Sequence, residues 1–195
     1  FNTETAYPKN NLFVLRLKNA KMRRLLMKKL VGIISACLML CTAAFAEGYF
    51  SAEDQEKGTI TEDKAVEDGF VLHATTEKYM NIAKKPLHKA ANGEEFNMAL
   101  QLQGSGNASS RSVSFPAKAG ETITVWGNST SKSDMRPLVV VGPDGKTVAE
   151  LPMDKDVNGA DGLASEGSVK VSVDGTYTVF SKKSGINIYK INVGK

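Results

Sequence analysis

Residues 175–193 read GTYTVFSKKSGINIYKINV, and this stretch decides how the C-terminal half of the chain is interpreted. Two short runs of β-branched and aromatic residues, 176–180 and 186–193, flank a Ser-Gly turn at 184–185. Apolar and polar residues alternate in both runs, which is the period of a β-strand. The stretch therefore predicts two β-strands.

The last of these strands is apolar on both sides over part of its length. Strict alternation gives two faces, with Ile186, Ile188 and Lys190 on one and Asn187, Tyr189, Ile191 and Val193 on the other. A strand that is apolar on both sides is typical of the middle of a sheet. We therefore expect this strand to be central.

The same pattern continues outward from this stretch to residue 70. No window there shows the period of an amphipathic helix, and Gly, Asn, Asp, Pro and Ser separate the runs. Many short strands at this spacing predict an all-β fold, a β-sandwich of jelly-roll-like type. In the run 122–126, Trp126 falls on the threonine face, which predicts an exposed or edge position. The candidate strands are 70–74, 79–82, 96–102, 111–115, 122–126, 138–141, 147–151, 169–173, 176–180 and 186–193.

Residues 22–46 have the features of a secretory signal peptide. A basic start, MRRLLMKK, precedes an apolar run and the small-residue sequence Ala44-Phe45-Ala46. Cleavage after Ala46 would give a secreted protein with no membrane segment, and both cysteines, Cys37 and Cys41, would be removed. The alternatives are a membrane anchor and lipid attachment at Cys37. Residues 1–21 contain no methionine and are interpreted as translated upstream sequence.

The charge distribution divides the exported chain into two parts. Residues 1–46 hold eight of the 25 basic and one of the 21 acidic residues, so that 17 basic and 20 acidic residues follow. The apparent net charge of +4 therefore gives no support for a nucleic-acid partner. Residues 47–69 contain eight acidic residues and few apolar ones, which predicts an acidic linker before a domain at 70–195.

No catalytic constellation is apparent in the sequence. His73 falls in a predicted strand and His88 in a Lys/Pro-rich loop, and neither has an evident nucleophile or orienting group beside it. Ser110 and Ser112 lie outside any Gly-x-Ser-x-Gly context. We therefore predict that the protein is not an enzyme.

Residues 154–161, with the sequence DKDVNGAD, resemble the first half of a calcium-binding loop. Oxygen donors at alternate positions are followed by Gly159, but the residue at the twelfth position is Ser165 instead of a glutamate. The stretch is interpreted either as a polar turn or as a structural calcium site. The candidate ligands are Asp154, Asp156, Asn158 and Asp161.

The strand-rich part has a surplus of basic residues, 15 against 12 acidic ones, which favours an anionic ligand. Exposed ion pairs are individually weak, so such binding would depend on several cations and on salt. The candidate ligand-binding residues lie near turns and strand edges. They are Arg111, Lys132, Arg136, Lys182, Lys183 and Lys190.

Seven segments, in order, resemble a known family. They are GFVLHAT (69–75), LQLQGSG (100–106), SSRSVSF (109–115), TITVW (122–126), MRPL (135–138), GTYTV (175–179) and SGINIY (184–189). This order is similar to that of the pectin-binding carbohydrate-binding modules appended to bacterial pectate lyases. The resemblance covers about residues 69–195.

The resemblance implies a non-catalytic β-sandwich that binds acidic plant cell-wall polysaccharide, with basic side chains pairing to galacturonate carboxylates. Arg111 and Arg136 match the family pattern by position. One Trp and five Tyr leave little for a broad aromatic platform, which agrees with recognition of a charged sugar. The alternative is a structural or adhesive cell-surface domain without glycan binding. A polysaccharide lyase with a Lys or Arg base is a third hypothesis.

Overall fold

The computed structural model describes residues 47–156 and 162–195, and over these ranges the chain forms thirteen strands in two antiparallel sheets. The predicted β-sandwich is confirmed. The strands are β1 (Gly48–Ser51), β2 (Gly58–Ile60), β3 (Lys64–Ala65), β4 (Val71–His73), β5 (Met80–Lys89), β6 (Glu95–Leu102), β7 (Ser112–Ala117), β8 (Thr122–Ser129), β9 (Arg136–Val141), β10 (Thr147–Met153), β11 (Ser165–Lys170), β12 (Gly175–Ser181) and β13 (Ile186–Gly194).

The thirteen strands are divided between a seven-stranded and a six-stranded sheet. Sheet I has the order β11-β8-β13-β6-β5-β2, with β1 also paired to β13. Sheet II has the order β10-β9-β12-β7-β4-β3. From β6 onward most connections cross from one sheet to the other, so the loops between strands collect at the two ends of the sandwich.

Inward-facing side chains of both sheets form one apolar core. Phe70, Phe115 and Tyr177 are among its largest fully buried members, and the rings of Phe70 and Phe115 lie 4.9 Å apart between centroids. Burying a large apolar side chain of this kind contributes about 1.5–3 kcal/mol to folding.

Strand β13 is central, as expected, because it lies between β8 and β6. Its faces differ from the prediction. The register of β13 against β8 shifts between Ile188 and Lys190, and Ile191 and Val193 therefore face the core together with Ile186 and Ile188. A β-bulge adds one residue to the alternation, and simple counting along the strand cannot detect it.

The segment 47–69 is not the predicted acidic linker, because it contains three strands, β1 to β3. β1 pairs with β13, β2 with β5 and β3 with β4, so the segment belongs to the sandwich. Phe50 and Ile60 are 2% and 8% exposed and are part of the core. Two apolar anchors and backbone pairing are sufficient to order the segment, because its acidic residues remain on the surface.

The outer face of sheet I, which points away from the core, carries a second apolar cluster. Trp126 is 8% exposed there, and its Nε1 donates a 3.0 Å hydrogen bond to Glu166. The predicted exposed or edge position of Trp126 is therefore wrong. The cluster consists of Ala90, Phe96, Ala99, Trp126, Ala164 and Tyr189.

The predictions for residues 1–46 fall outside the described residues. The upstream segment 1–21, the signal peptide at 22–46 and its two cysteines therefore stay predictions. None of the helices in the described ranges has the length and apolar character that crossing a membrane requires.

Candidate functional site

A polar cleft opens at one end of the outer face of sheet I. Its volume is about 290 Å³. The middle of β5, the C-terminal end of β6 and the β8–β9 and β12–β13 loops form it. The lining residues are Lys85, Gln101, Leu102, Gln103, Thr130, Ser184 and Gly185.

Gln101 and Gln103 give the cleft a polar floor, and Gln101 belongs to a row of amide side chains at aligned positions on four neighbouring strands. Asn81 pairs with Gln101, Gln101 with Asn187, and Asn187 with Asn128. Adjacent strands lie about 4.8 Å apart, so these outward-facing residues form a continuous row. We call Asn81, Gln101, Asn187 and Asn128 the amide row. Gln103 extends it, because its Nε2 donates a 3.2 Å hydrogen bond to Gln101 Oε1.

Only half of the amide row is open. Asn128 and Asn187 are buried, and Asn128 Nδ2 donates to the backbone carbonyl of Leu163 at 3.1 Å. The segment that follows β10 therefore covers them. Asn81 and Gln101 are partly exposed, and the buried Oδ1 of Asn81 has no hydrogen-bond partner among the described residues.

The rim of the cleft is set by close contact between two loops. The Thr130 N–H donates to the Gly185 carbonyl at 3.1 Å, and Arg136 Nη1 donates to the same carbonyl and to Thr130 Oγ1, each at 2.8 Å. A Cβ on Gly185 would lie 2.9 Å from Thr130 Oγ1. Glycine is therefore required for the loops to approach in this way.

Lys85, which lines the cleft, is paired with a buried carboxylate that lies outside the lining. Asp156 accepts from Lys85 Nζ at 3.1 Å and lies 2.9 Å from His88 Nε2. The β5–β6 register shifts between Lys84 and His88, around Pro86, which has no N–H for the ladder. This irregularity allows both basic side chains to reach one carboxylate.

His88 lies in strand β5 and not in the predicted loop, and Asp156 beside it is a partner that the sequence did not reveal. His88 is fully buried, its Nδ1 donates to the Pro86 carbonyl at 2.8 Å, and its ring stacks on Tyr189. Burial is also the main reason that the pKa of Tyr189 is raised, and the negative charge of Asp156 contributes in the same direction.

The candidate calcium ligands are only partly described. Asp154 is exposed and Asp156 is turned inward to Lys85 and His88. Asn158 and Asp161 fall outside the described residues. Over 47–156 and 162–195 the structure contains no group of three His, Cys, Asp or Glu side chains that could hold a metal ion. The calcium site stays a prediction.

Four of the six candidate ligand-binding cations lie on the two loops that form the rim. Lys132 and Arg136 come from the β8–β9 connection and the first residue of β9, and Lys182 and Lys183 come from the β12–β13 loop. Lys182 lies 3.5 Å from Glu150 across a solvent-exposed pair. Arg136 differs from the three lysines in its contacts, because its guanidinium donates to the Gly185 carbonyl of the β12–β13 loop.

The other two candidate cations have structural partners elsewhere. Arg111, with a left-handed φ of +50°, donates from Nε to the Tyr79 carbonyl at 3.2 Å. Lys190 pairs with Glu94 at 2.8 Å and lies over the ring of Trp126. Lys190 is placed on the outer face by the bulge in β13. Neither side chain is among the residues that line the cleft.

The sequence analysis missed the amide side chains of the cleft. Gln101 and Gln103 alternate with Leu100 and Leu102 along β6, and this pattern was a readable signal for a polar outer face. Lys85 was not identifiable, because its position depends on the irregular pairing around Pro86.

His73 has partners that the sequence did not reveal. Its Nδ1 lies 2.9 Å from Asp63 Oδ2 and its Nε2 lies 2.7 Å from Ser114 Oγ. The inference that no nucleophile or orienting group accompanies His73 is therefore wrong. The three residues lie on different segments of the chain, which is why no local motif shows them.

No protein-family model matches the chain, and no curated protein matches it. Solved structures are similar at low identity. The C-terminal family 6 carbohydrate-binding module of the laminarinase LamC from Zobellia galactanivorans is 17% identical, with 77% of this chain and 100% of that chain covered and a TM-score of 0.40.

Two further solved structures show the same level of similarity. A family 35 carbohydrate-binding module from Clostridium thermocellum is 11% identical, with 76% and 97% of the two chains covered and a TM-score of 0.40. The K1 cleaved adhesin domain of Lys-gingipain from Porphyromonas gingivalis is 14% identical, with 76% and 97% covered and a TM-score of 0.45.

Proposed function

We propose that this protein is a non-catalytic carbohydrate-binding domain and that the polar cleft on sheet I binds a polysaccharide chain. The observation that carries the proposal is the pair of cleft-lining amides, Gln101 and Gln103, beside the hydroxyls of Thr130 and Ser184. Each amide both donates and accepts, which complements sugar hydroxyl groups that do the same.

The preferred ligand under this proposal is an acidic polysaccharide of the pectin type. Lys85 lines the cleft, and Lys132, Lys182 and Lys183 lie on the rim loops. Each exposed ion pair contributes only about 0.2–1 kcal/mol, so a polymer that meets several lysines at once is favoured over a single acidic sugar. Binding of this kind weakens as salt rises.

The cleft is proposed to bind sugar without breaking bonds. Among the described residues that line it there is no carboxylate, histidine or cysteine, and the Lys85 ammonium is paired with Asp156. An ammonium held in this way does not act as a base. A secreted location belongs to the same proposal, and it is supported by the predicted signal peptide, which ends immediately before Glu47.

Affinity electrophoresis in gels that contain polygalacturonate tests the proposal. We expect retarded migration at low salt and free migration at high salt. Lys182→Ala with Lys183→Ala should weaken retention roughly two- to thirty-fold, since two exposed pairs are lost. The matched control is Lys146→Ala with Lys195→Ala, which removes the same charge at the opposite end of the sandwich and should leave retention unchanged.

The same gels separate the alternatives. Gln101→Ala with Gln103→Ala should abolish retention, because these residues form the cleft floor. Free migration at low salt in polygalacturonate but not in neutral glycans would overturn the acidic preference. Free migration in every glycan tested would support the structural or adhesive alternative. Formation of unsaturated sugar product during incubation would support a lyase and contradict the non-catalytic assignment.

A further inference from the structure

A second group of reactive side chains lies on sheet II, on the other layer of the sandwich from the cleft. Ser114 Oγ on β7 lies 2.7 Å from His73 Nε2, and His73 Nδ1 lies 2.9 Å from Asp63 Oδ2. The other oxygen of Asp63 accepts a 3.3 Å hydrogen bond from the Ala74 N–H. We call Ser114, His73 and Asp63 the sheet II triad.

Strand pairing explains how these residues meet. β4 pairs with β7 so that His73 lies opposite Ser112, and Ser114 follows two residues later on the same face. The connection from β2 to β3 brings Asp63 from the edge of sheet I to the end of β4. The arrangement therefore depends on segment 47–69 being part of the domain.

Proton positions follow from the chemistry of the three groups. A carboxylate can only accept, so His73 Nδ1 carries the proton that Asp63 binds. In the neutral imidazole Nε2 is then an acceptor, and the Ser114 hydroxyl donates to it. This is the order nucleophile, base and orienting carboxylate that activates serine in acyl transfer.

We propose that Ser114 is a nucleophile that takes an acyl group from small uncharged esters. Ser114 Oγ forms a bond to the acyl carbon while its proton moves to His73 Nε2. The bond from the acyl carbon to the leaving oxygen then breaks, and that oxygen receives the proton and departs as the alcohol. The product is an O-acyl serine and a neutral His73.

The acylation should be stoichiometric, with little turnover. β7 is paired with β4 on one side and β12 on the other, so the backbone N–H groups around Ser114 belong to the ladders. No oxyanion hole is formed there within the described residues. One missing oxyanion donor slows acyl transfer by about 10²–10³-fold, and this slows both formation and hydrolysis of the acyl serine.

Access limits the ligand to small molecules. Ser114 is 8% exposed and the His73 side chain is 20% exposed. Asp63 also lines a cavity of about 270 Å³ formed by residues 56–64. Glu56 and Glu62 line the same cavity, and together with Asp63 they disfavour an anionic ester.

The test uses p-nitrophenyl acetate with the mature full chain. We expect an initial phase of p-nitrophenolate release close to one equivalent per chain, fast only in comparison with the turnover that follows, because the activated ester acylates more readily than the acyl serine hydrolyses. Peptide mapping should place the acetyl group on Ser114. Ser114→Ala should remove the fast phase. Asp63→Asn should slow it more than ten-fold, because it disturbs the tautomer of His73.

Ser112→Ala is the matched control, since Ser112 is on the same face but has no hydrogen-bond partner among the described residues. It should leave the fast phase unchanged. An acetyl group on lysines but not on Ser114 in the unaltered chain, or a fast phase that persists in Ser114→Ala, would overturn the proposal. Polygalacturonate retention of the same preparations keeps this outcome separate from failure of the proposed glycan binding.

Discussion

The Glu53 carboxylate accepts a 2.6 Å hydrogen bond from the backbone N–H of Asn97. The same oxygen accepts from the Met98 N–H at 2.8 Å. Strand β13 pairs with β6 only through residues 186–188, and through residues 190–193 it pairs with β1 instead. Glu53 binds β6 at the point where β6 separates from β13. One carboxylate thus replaces the missing strand partner of β6.

Glu53→Gln should therefore destabilise the domain although Glu53 lies in a segment with a linker-like composition. The amide keeps the shape but loses the charge that strengthens two backbone hydrogen bonds, and the expected loss is about 1 kcal/mol in free energy of unfolding. Urea denaturation measures it. Glu56→Gln, an exposed control nearby, should have no effect, and equal stability of both variants would contradict the capping role.

Arg136→Lys tests whether this arginine acts through geometry or through charge. Both hydrogen bonds come from Arg136 Nη1. Lysine keeps the positive charge, but its ammonium is on a shorter, flexible stem and lacks the rigid plane that positions Nη1 between the Gly185 carbonyl and Thr130. We expect lower stability, by about 1–2 kcal/mol, and weaker retention on polygalacturonate because the rim loosens. Lys183→Arg is the control and should retain both properties. Unchanged retention in Arg136→Lys would show that the rim does not depend on this contact.

Asp156→Asn distinguishes an ion pair from a calcium ligand. The change leaves Lys85 and His88 without their buried carboxylate, and we expect a loss of roughly 2–4 kcal/mol, reduced from that of a fully buried pair because Lys85 is partly exposed. The loss should be the same with calcium and with a chelator. If calcium binds here, Asp156→Asn and the exposed Asp154→Asn should both lose stability, and only in the presence of calcium. Thermal denaturation separates the two results.

Tyr189 should make stability fall at alkaline pH. Its pKa is raised in the folded state by burial and by the charge of Asp156, whereas the pKa of a tyrosine in the unfolded chain is about 10. The unfolded chain therefore loses the phenol proton first. The stabilisation is complete below about pH 10 and is lost as pH rises further, by about 1.4 kcal/mol per pH unit.

Tyr189→Phe should flatten this alkaline decline. The hydroxyl of Tyr189 is buried without a hydrogen-bond partner among the described residues, so the variant should be at least as stable at neutral pH. Tyr49→Phe, an exposed control, should keep the wild-type slope. Identical slopes for all three proteins between pH 9 and pH 11 would show that Tyr189 is not the titrating group.

The strand pattern was predictable from sequence because each strand buries one face. Alternation identified the strands from β4 to β13, although β5 and β8 extend beyond the predicted ends and the predicted run 169–173 overlaps β11 only at residues 169–170. Those extensions carry Lys85 and Asn128, whose positions depend on a bulge and on a covering segment. Local residue patterns contain neither kind of information.

Long-range hydrogen bonds to the main chain could not be predicted from the sequence, either for the segment 47–69 or for Arg111 and Arg136. Composition alone treats the acidic residues of 47–69 as solvated, but Glu53 obtains two backbone donors from a strand more than forty residues away. Arg111 and Arg136 were correctly placed near turns, yet their guanidiniums bind backbone carbonyls. A long-range hydrogen bond to the main chain leaves no mark in the sequence around either residue.

The position of β13 also has a consequence for biogenesis. Its three partners, β1, β6 and β8, are all synthesised before it, and each must wait with an unpaired edge until β13 emerges. Contacts between residues far apart in sequence slow folding, and aggregation-prone intermediates with unpaired strand edges then persist for longer. Sheet I cannot be completed until synthesis of β13 is finished, so the N-terminal strand β1 can join the sheet only after almost the whole chain has been made.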